Sequence, residues 1–308
     1  LVLAAIAGGA FLGSLTWFGR ATAPLPAAQS ASQPTASLPA VAPVQPTDTP
    51  FLVTTANVEQ IRRNDTSDLS VFRLAENPRI AVLDFASLAE QGRMLDRIAA
   101  LTEKSGLPRD RIVDPQELSR AIQSEGGSDP WFYYGHDYSA AELARFFAMA
   151  AHTQVALTPE EERLRRLADQ LGLLEADSQG ALISIPRVGA DSNVTSSARD
   201  TILSHELSHG EYFSNPTYAR YVRQFWTVAL TEKEREAFRA YLERQGYDRS
   251  NPEIMENETQ AYLLFTADPR FFTPSQVGMS AERRADLKSV FLRDMPQGWL
   301  RELLIRPP

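Results

Sequence analysis

The chain has 308 residues, with 31 basic against 39 acidic side chains, four histidines and no cysteine. A net charge of −8 with no basic stripe argues against a nucleic-acid-binding role, and the lack of cysteine excludes disulfides, thiolate nucleophiles and Cys-type zinc sites. At 43% hydrophobic and 23% charged the composition is ordinary for a globular chain, enough for one large domain or two small ones.

Leu1 to Phe18 carry no charge and are mostly apolar, and Arg20 follows. The stretch reads as the apolar region of a signal peptide or as a membrane anchor, with Ala21-Thr22-Ala23 as a small-residue cleavage site. Either implies an exported protein, periplasmic or extracellular, with residues 1–18 as its possible membrane attachment. Residues 21–50 hold seven prolines and one charge, Asp48, among Ala, Ser, Thr and Gln. They cannot build a core and read as a disordered, semi-extended tether.

The folded part is expected from about Phe51 to residue 308. Arg79 to Phe85 is a short apolar run that suits a buried strand. Helix starts then recur as an N-cap hydroxyl paired with a Glu or Gln three residues on that reaches back: Ser87 with Glu90, Ser139 with Glu142, Thr158 with Glu161, Thr231 with Glu234, and Thr273 with Gln276. Asp114-Pro115 and Asn251-Pro252 add cap-then-proline starts. Trp131 to Tyr138 is rich in aromatics; it can line a cleft, with His136 as a polar contact, but core that pins a loop is the expected role. His152, after the apolar Phe146–Ala151 segment, is expected to be a satisfied structural histidine. Gly180 to Pro186 reads as a strand stopped by proline, hence an edge strand on which a peptide can add as a further strand. Helices outnumber the two or three strands, and there is no internal repeat.

Thr201 to Gly210 contains His-Glu-x-x-His. On a helix, His205 and His209 lie four residues apart on one face, with Cβ atoms roughly 5–6 Å apart, so both rings can reach one zinc ion. Glu206 is turned about 100° away and suits a general base acting on a water at the metal. With four histidines in the chain, a chance match is roughly one in a few hundred. Ile202, Leu203, Leu207, Tyr212 and Phe213 place apolar groups all round the helix, which marks it as buried and its polar groups as needing partners.

A catalytic zinc site needs a third protein ligand and an open position. His-Glu-x-x-His with a downstream glutamate helix resembles the gluzincin branch of zinc metallopeptidases. The metzincin pattern, which requires Gly at 212 and His at 215, is excluded by Tyr212 and Asn215. Of Glu253, Glu256 and Glu258, only Glu258 shares the core face of its helix, with Ile254, Ala261 and Phe265. A buried ion pair with an arginine such as Arg199 is the competing use for it. Asn257-Glu258-x-x-Ala261 also resembles the thermolysin-like Asn-Glu motif, with two departures. Two extra helices, about 217–230 and 232–245, separate it from His209, and Tyr262 replaces the Asp that orients the first histidine. Tyr262 is then a candidate donor to the oxyanion, in competition with Tyr212, Tyr218 and Tyr221. Glu211 becomes a ligand only if Gly210 ends the helix.

The expected fold is thus α+β: a predominantly helical zincin-like metallopeptidase domain with a small sheet, preceded by the apolar segment and linker. The expected function is an exported zinc-dependent hydrolase with one zinc ion, acting on a peptide or protein substrate. The alternative is a non-catalytic envelope protein with a structural zinc, or a partner-binding domain. Membrane-embedded proteolysis is excluded, because no apolar segment after residue 18 is long enough to span.

Overall fold

A computed structural model describes residues 49–65, 67–124 and 133–305. The apolar segment and most of the tether lie outside these residues, as do Trp131 and Phe132. No described helix is long and apolar enough to cross a membrane.

The sheet forms from β1 (Val53–Ala56), β2 (Ser70–Leu74), β3 (Ile80–Phe85), β4 (His136–Ser139) and β5 (Ala181–Pro186). Its order is β1-β2-β3-β5-β4, with β1–β2 and β3–β5 parallel and β2–β3 and β4–β5 antiparallel. Both β3 and β5 are buried at every position, which is why they read as mostly apolar runs, broken only by Asp84 and Ser184. Five strands are present among the described residues, where two or three were expected. β5, expected at an edge, lies inside the sheet, between β3 and β4. Its proline misled: Pro186 occupies the last position of the strand, and Arg187 N continues the ladder to Phe85 O at 2.8 Å. A missing N–H at a strand end costs the sheet little. The edge beside β5 is β4.

Alternation along β4 sends its side chains to two layers. Tyr138 donates its hydroxyl to Leu95 O (2.9 Å) and His136 meets Asp96 (3.0 Å), both on α2 (Leu88–Thr102), against which α4 (Ala140–Thr153) and α5 (Pro159–Gln170) pack. Asp137 faces α6 (Ser196–Ser214) on the other side. α6 lies close on the sheet because residue 210 is glycine; a Cβ there would meet Ile80 Cγ2 at 3.0 Å.

The capping logic holds for Ser139–Glu142, Thr158–Glu161 and Thr231–Glu234, each of which closes a reciprocal box at the start of α4, α5 and α8 (Glu232–Arg244). Asp114 caps α3 (Pro115–Ser124). Asn251 caps α9 (Pro252–Gln260), and Asn215 both ends α6 and caps α7 (Pro216–Val228). Two starts differ. Ser87 makes no side-chain cap at α2, where Glu90 pairs with Arg163 at 3.2 Å. Thr273–Gln276 heads a single 3-10 turn, Pro274–Val277, which Gly278 ends at φ +64°.

Arg199 of α6 is nearly inaccessible and grips Asp84 of β3 through both guanidinium nitrogens at 2.8 Å each. It also donates to Ile61 O of α1 (Val58–Arg62) at 2.8 Å and to Pro186 O at 2.6 Å, tying the helix to three other segments. Its charge is spent there, which removes it as the partner of Glu258.

Candidate metal centre

α6 runs unbroken through Gly210 to Ser214, so the His-Glu-x-x-His residues occupy one regular helix. Glu211 is accordingly no ligand: it accepts from Asn77 Nδ2 (2.7 Å), Asn215 Nδ2 (2.7 Å) and Trp299 Nε1 (3.0 Å). The extra helices form as expected, as α7 and α8, and return the chain along α6 as α9. Gln260 locks that return, donating to Ser208 Oγ (3.0 Å) and accepting from Tyr218 OH (2.9 Å).

The lock brings Glu258 to both histidines. Its Oε1 lies 3.5 Å from His209 Nε2 and its Oε2 lies 3.8 Å from His205 Nε2. A tetrahedral ion with bonds of about 2.0–2.1 Å holds its ligands roughly 3.3–3.5 Å apart. His205, His209 and Glu258 thus form a buried group spaced to hold a metal ion. Neither ring nitrogen of His209, nor Oε2 of Glu258, makes a well-formed hydrogen bond among the described residues. Buried polar atoms in that state are costly without a ligand.

Thr266 fixes the tautomer of His205. Its hydroxyl donates to Ala261 O at 3.0 Å and so must accept the 2.8 Å bond from His205 Nδ1–H. In the neutral ring, Nε2 then carries the lone pair on the side of Glu258. The expected orienting position, Tyr262, instead packs its ring edge-on against His205 (centroids 4.9 Å apart, 79°). A π-turn over Ala261–Phe265 continues directly from α9. One extra residue in a turn rotates the downstream residues by about 100°, which brings Thr266 round to the face that an unbroken helix would give Phe265.

Glu206 is fully buried, and desolvation pushes its carboxyl up to about 8. Burial also raises Glu258 well above the usual carboxylate range and lowers His209 well below the ordinary histidine value, the latter assisted by His205. His209 is therefore neutral, the form that binds metals. Tyr262 is held protonated, mainly by burial and then by Tyr241 and Glu258.

Two residues of the β4 arm complete the site. Gly135 leaves room for Glu206; a Cβ there would sit 2.3 Å from Glu206 Oε1. Asp137 Oδ1 lies 3.8 Å from His209 Nδ1, and Asp137, Glu206 and His209 form a second buried group close enough to hold an ion.

The remaining histidines stand outside the site. His136 is core: Nε2 meets Asp96 and Nδ1 lies 3.2 Å from both Gln91 and Ser184. His152 is exposed in the last turn of α4, where a satisfied structural histidine was expected. Glu253 is exposed and Glu256 half-buried, as their helix phase required.

Searches against protein-family models, curated proteins and solved structures found nothing that matches the chain.

Proposed function

We propose that the protein is an exported zinc-dependent peptidase of gluzincin type. The observation that carries this reading is the convergence of His205, His209 and Glu258, with Glu206 one residue along the same helix. Two imidazoles and one carboxylate suit zinc, and the donor set leaves a position open. Export rests on the composition of residues 1–50.

When bound, zinc supplies a Lewis acid that polarises the scissile carbonyl and acidifies water. The protein's own groups do the rest. His205 and His209 hold the ion through nitrogens whose protonation is set by Thr266 and by burial. Glu206 accepts a proton from the attacking water as its oxygen bonds to the carbonyl carbon. The same carboxyl then passes that proton to the amine nitrogen as the C–N bond breaks. Tyr262, protonated and beside His205, is our candidate donor to the oxyanion. The substrate lies along β4. The bond from Ala140 N to Gly180 O fixes the phase of the ladder, so the main-chain groups of Asp137 point away from β5, whereas the N–H of Ser139, in the same phase, is taken by Glu142 Oε2 at 2.8 Å. That edge can pair with an extended peptide.

The test is Glu206→Gln in zinc-loaded protein. Peptide turnover should fall by about 10²-fold or more with zinc content unchanged. Unchanged turnover overturns the mechanism. One observation favours a second reading, a closed structural site: Asp137 and Glu206 are near enough to His209 to supply a fourth ligand. X-ray absorption separates the two, since a closed site shows four protein ligands and an open one retains water.

A further inference from the structure

A cavity of about 460 Å³ opens beside the candidate centre, lined by Glu103, Asp137, Glu142, Glu253 and Glu258 against a single basic group, Arg223. Arg223 is exposed and directed to Tyr212 OH at 3.4 Å. Acidic lining alone is weak grounds for a ligand, but Glu103 adds a separate observation. This carboxyl is 95% buried at the C-terminal end of α2, and its Oε1 has no hydrogen-bond partner. The neighbouring cations bear on it through their charge but give Oε1 no hydrogen bond. Arg109 donates to Ala100 O (2.9 Å) and Lys104 O (2.8 Å), and Lys104 Nζ lies over the Tyr133 ring at 4.3 Å.

A second metal ion does not fit this lining. Among the described residues, the two groups compact enough to hold an ion both contain His209, and neither includes Glu103, Glu142 or Glu253. The acids are instead spread along a cavity that also presents Phe213, Tyr212 and Ile254. Apolar walls with a carboxylate suit an aliphatic stem that ends in a cation. Asp137 and Ser139 of β4 line the same cavity, so a strand added to that edge would deliver a side chain into it.

We propose that this cavity is a specificity pocket for a lysine or arginine side chain of the substrate, with Glu103 as the acceptor of its charged head. The inference rests on the peptidase reading, but its test does not depend on turnover. Zinc-loaded Glu206→Gln protein is titrated calorimetrically with acetylated, amidated peptides that differ at one position: Lys, Arg, norleucine or Glu. Lys and Arg peptides should bind at least ~10-fold tighter than norleucine, as expected for one charge-assisted hydrogen bond. Adding Glu103→Gln should bring that ratio near one. If that variant does not fold, Glu253→Gln at the exposed wall should still lower the ratio at least ~3-fold. Equal affinity for Lys and norleucine overturns the pocket, as does a preference that survives loss of Glu103. It is equally overturned if an uncapped norleucine peptide binds as tightly as the capped Lys peptide, since the cavity would then serve an N-terminal ammonium. Wild-type protein that shows the preference but cleaves none of these peptides sinks the peptidase reading and leaves the pocket standing.

Discussion

The hydroxyl of Thr266 decides which ring nitrogen of His205 carries the proton, and with it whether Nε2 can bind a metal. Thr266→Val keeps the shape and removes the acceptor. Zinc affinity, measured by chelator competition, should drop about 10–100-fold, the usual cost of losing such an orienting bond; unchanged affinity would show that the ring needs no such support. Gly135 tests the other side of the centre. Gly135→Ala puts a Cβ 2.3 Å from Glu206 Oε1 and must displace that carboxylate. Zinc stoichiometry should hold while peptide turnover falls about 10²-fold, because the base is misplaced. His205, Glu206 and His209 were readable because helix spacing alone fixes their relation, and Glu258 because the phase of its own helix turns it to the core; the path of α7 and α8 that joins the two was not. Thr266, Gly135 and Asp137 were not, since no local pattern marks a threonine, a glycine or an aspartate that acts only through a distant segment.

Among the elements, α6, α7, α8 and α9 fall close to where capping residues and apolar periodicity placed them. What local signals missed is lateral order in the sheet. A six-residue apolar run bounded by proline reads the same at an edge as inside, and the neighbour that decides, β4, lies some forty residues earlier in the chain. The π-turn was equally illegible, and it alone rotates Thr266 toward His205. Arg199 shows how elements are held. Arg199→Met strands Asp84 in the core among partners reduced to Asn64, whose Nδ2 donates at 2.7 Å. The variant should lose about 3–5 kcal/mol in urea unfolding, and adding Asp84→Asn should restore part of it. A loss under about 1 kcal/mol would contradict this account of the pair.

For the whole molecule, metal and protons compete for the same buried acids. In metal-free protein the Glu206 carboxyl is raised by burial from 4.5 to about 8, and Glu258 is raised well above its ordinary value. A folded value above the unfolded one means the folded state holds the proton more tightly. That contribution is complete below about pH 4.5 and is lost as the pH rises towards 8. Thermal melts should therefore show metal-free protein weakening across this window. Zinc-loaded protein should resist it, because binding deprotonated ligands grows stronger as protons leave. A gap between the two melting curves that does not widen from pH 5 to pH 8 would contradict the linkage.

The most direct measurement is zinc content and coordination in wild-type protein beside Glu258→Ala. The wild type should bind one zinc per chain, with two imidazole nitrogens, one carboxylate and one exchangeable water in the first shell. Glu258→Ala should lose most of that affinity while α6 stays folded. Wild-type protein that takes up no zinc, or a variant that binds it as tightly as the wild type, would contradict the account.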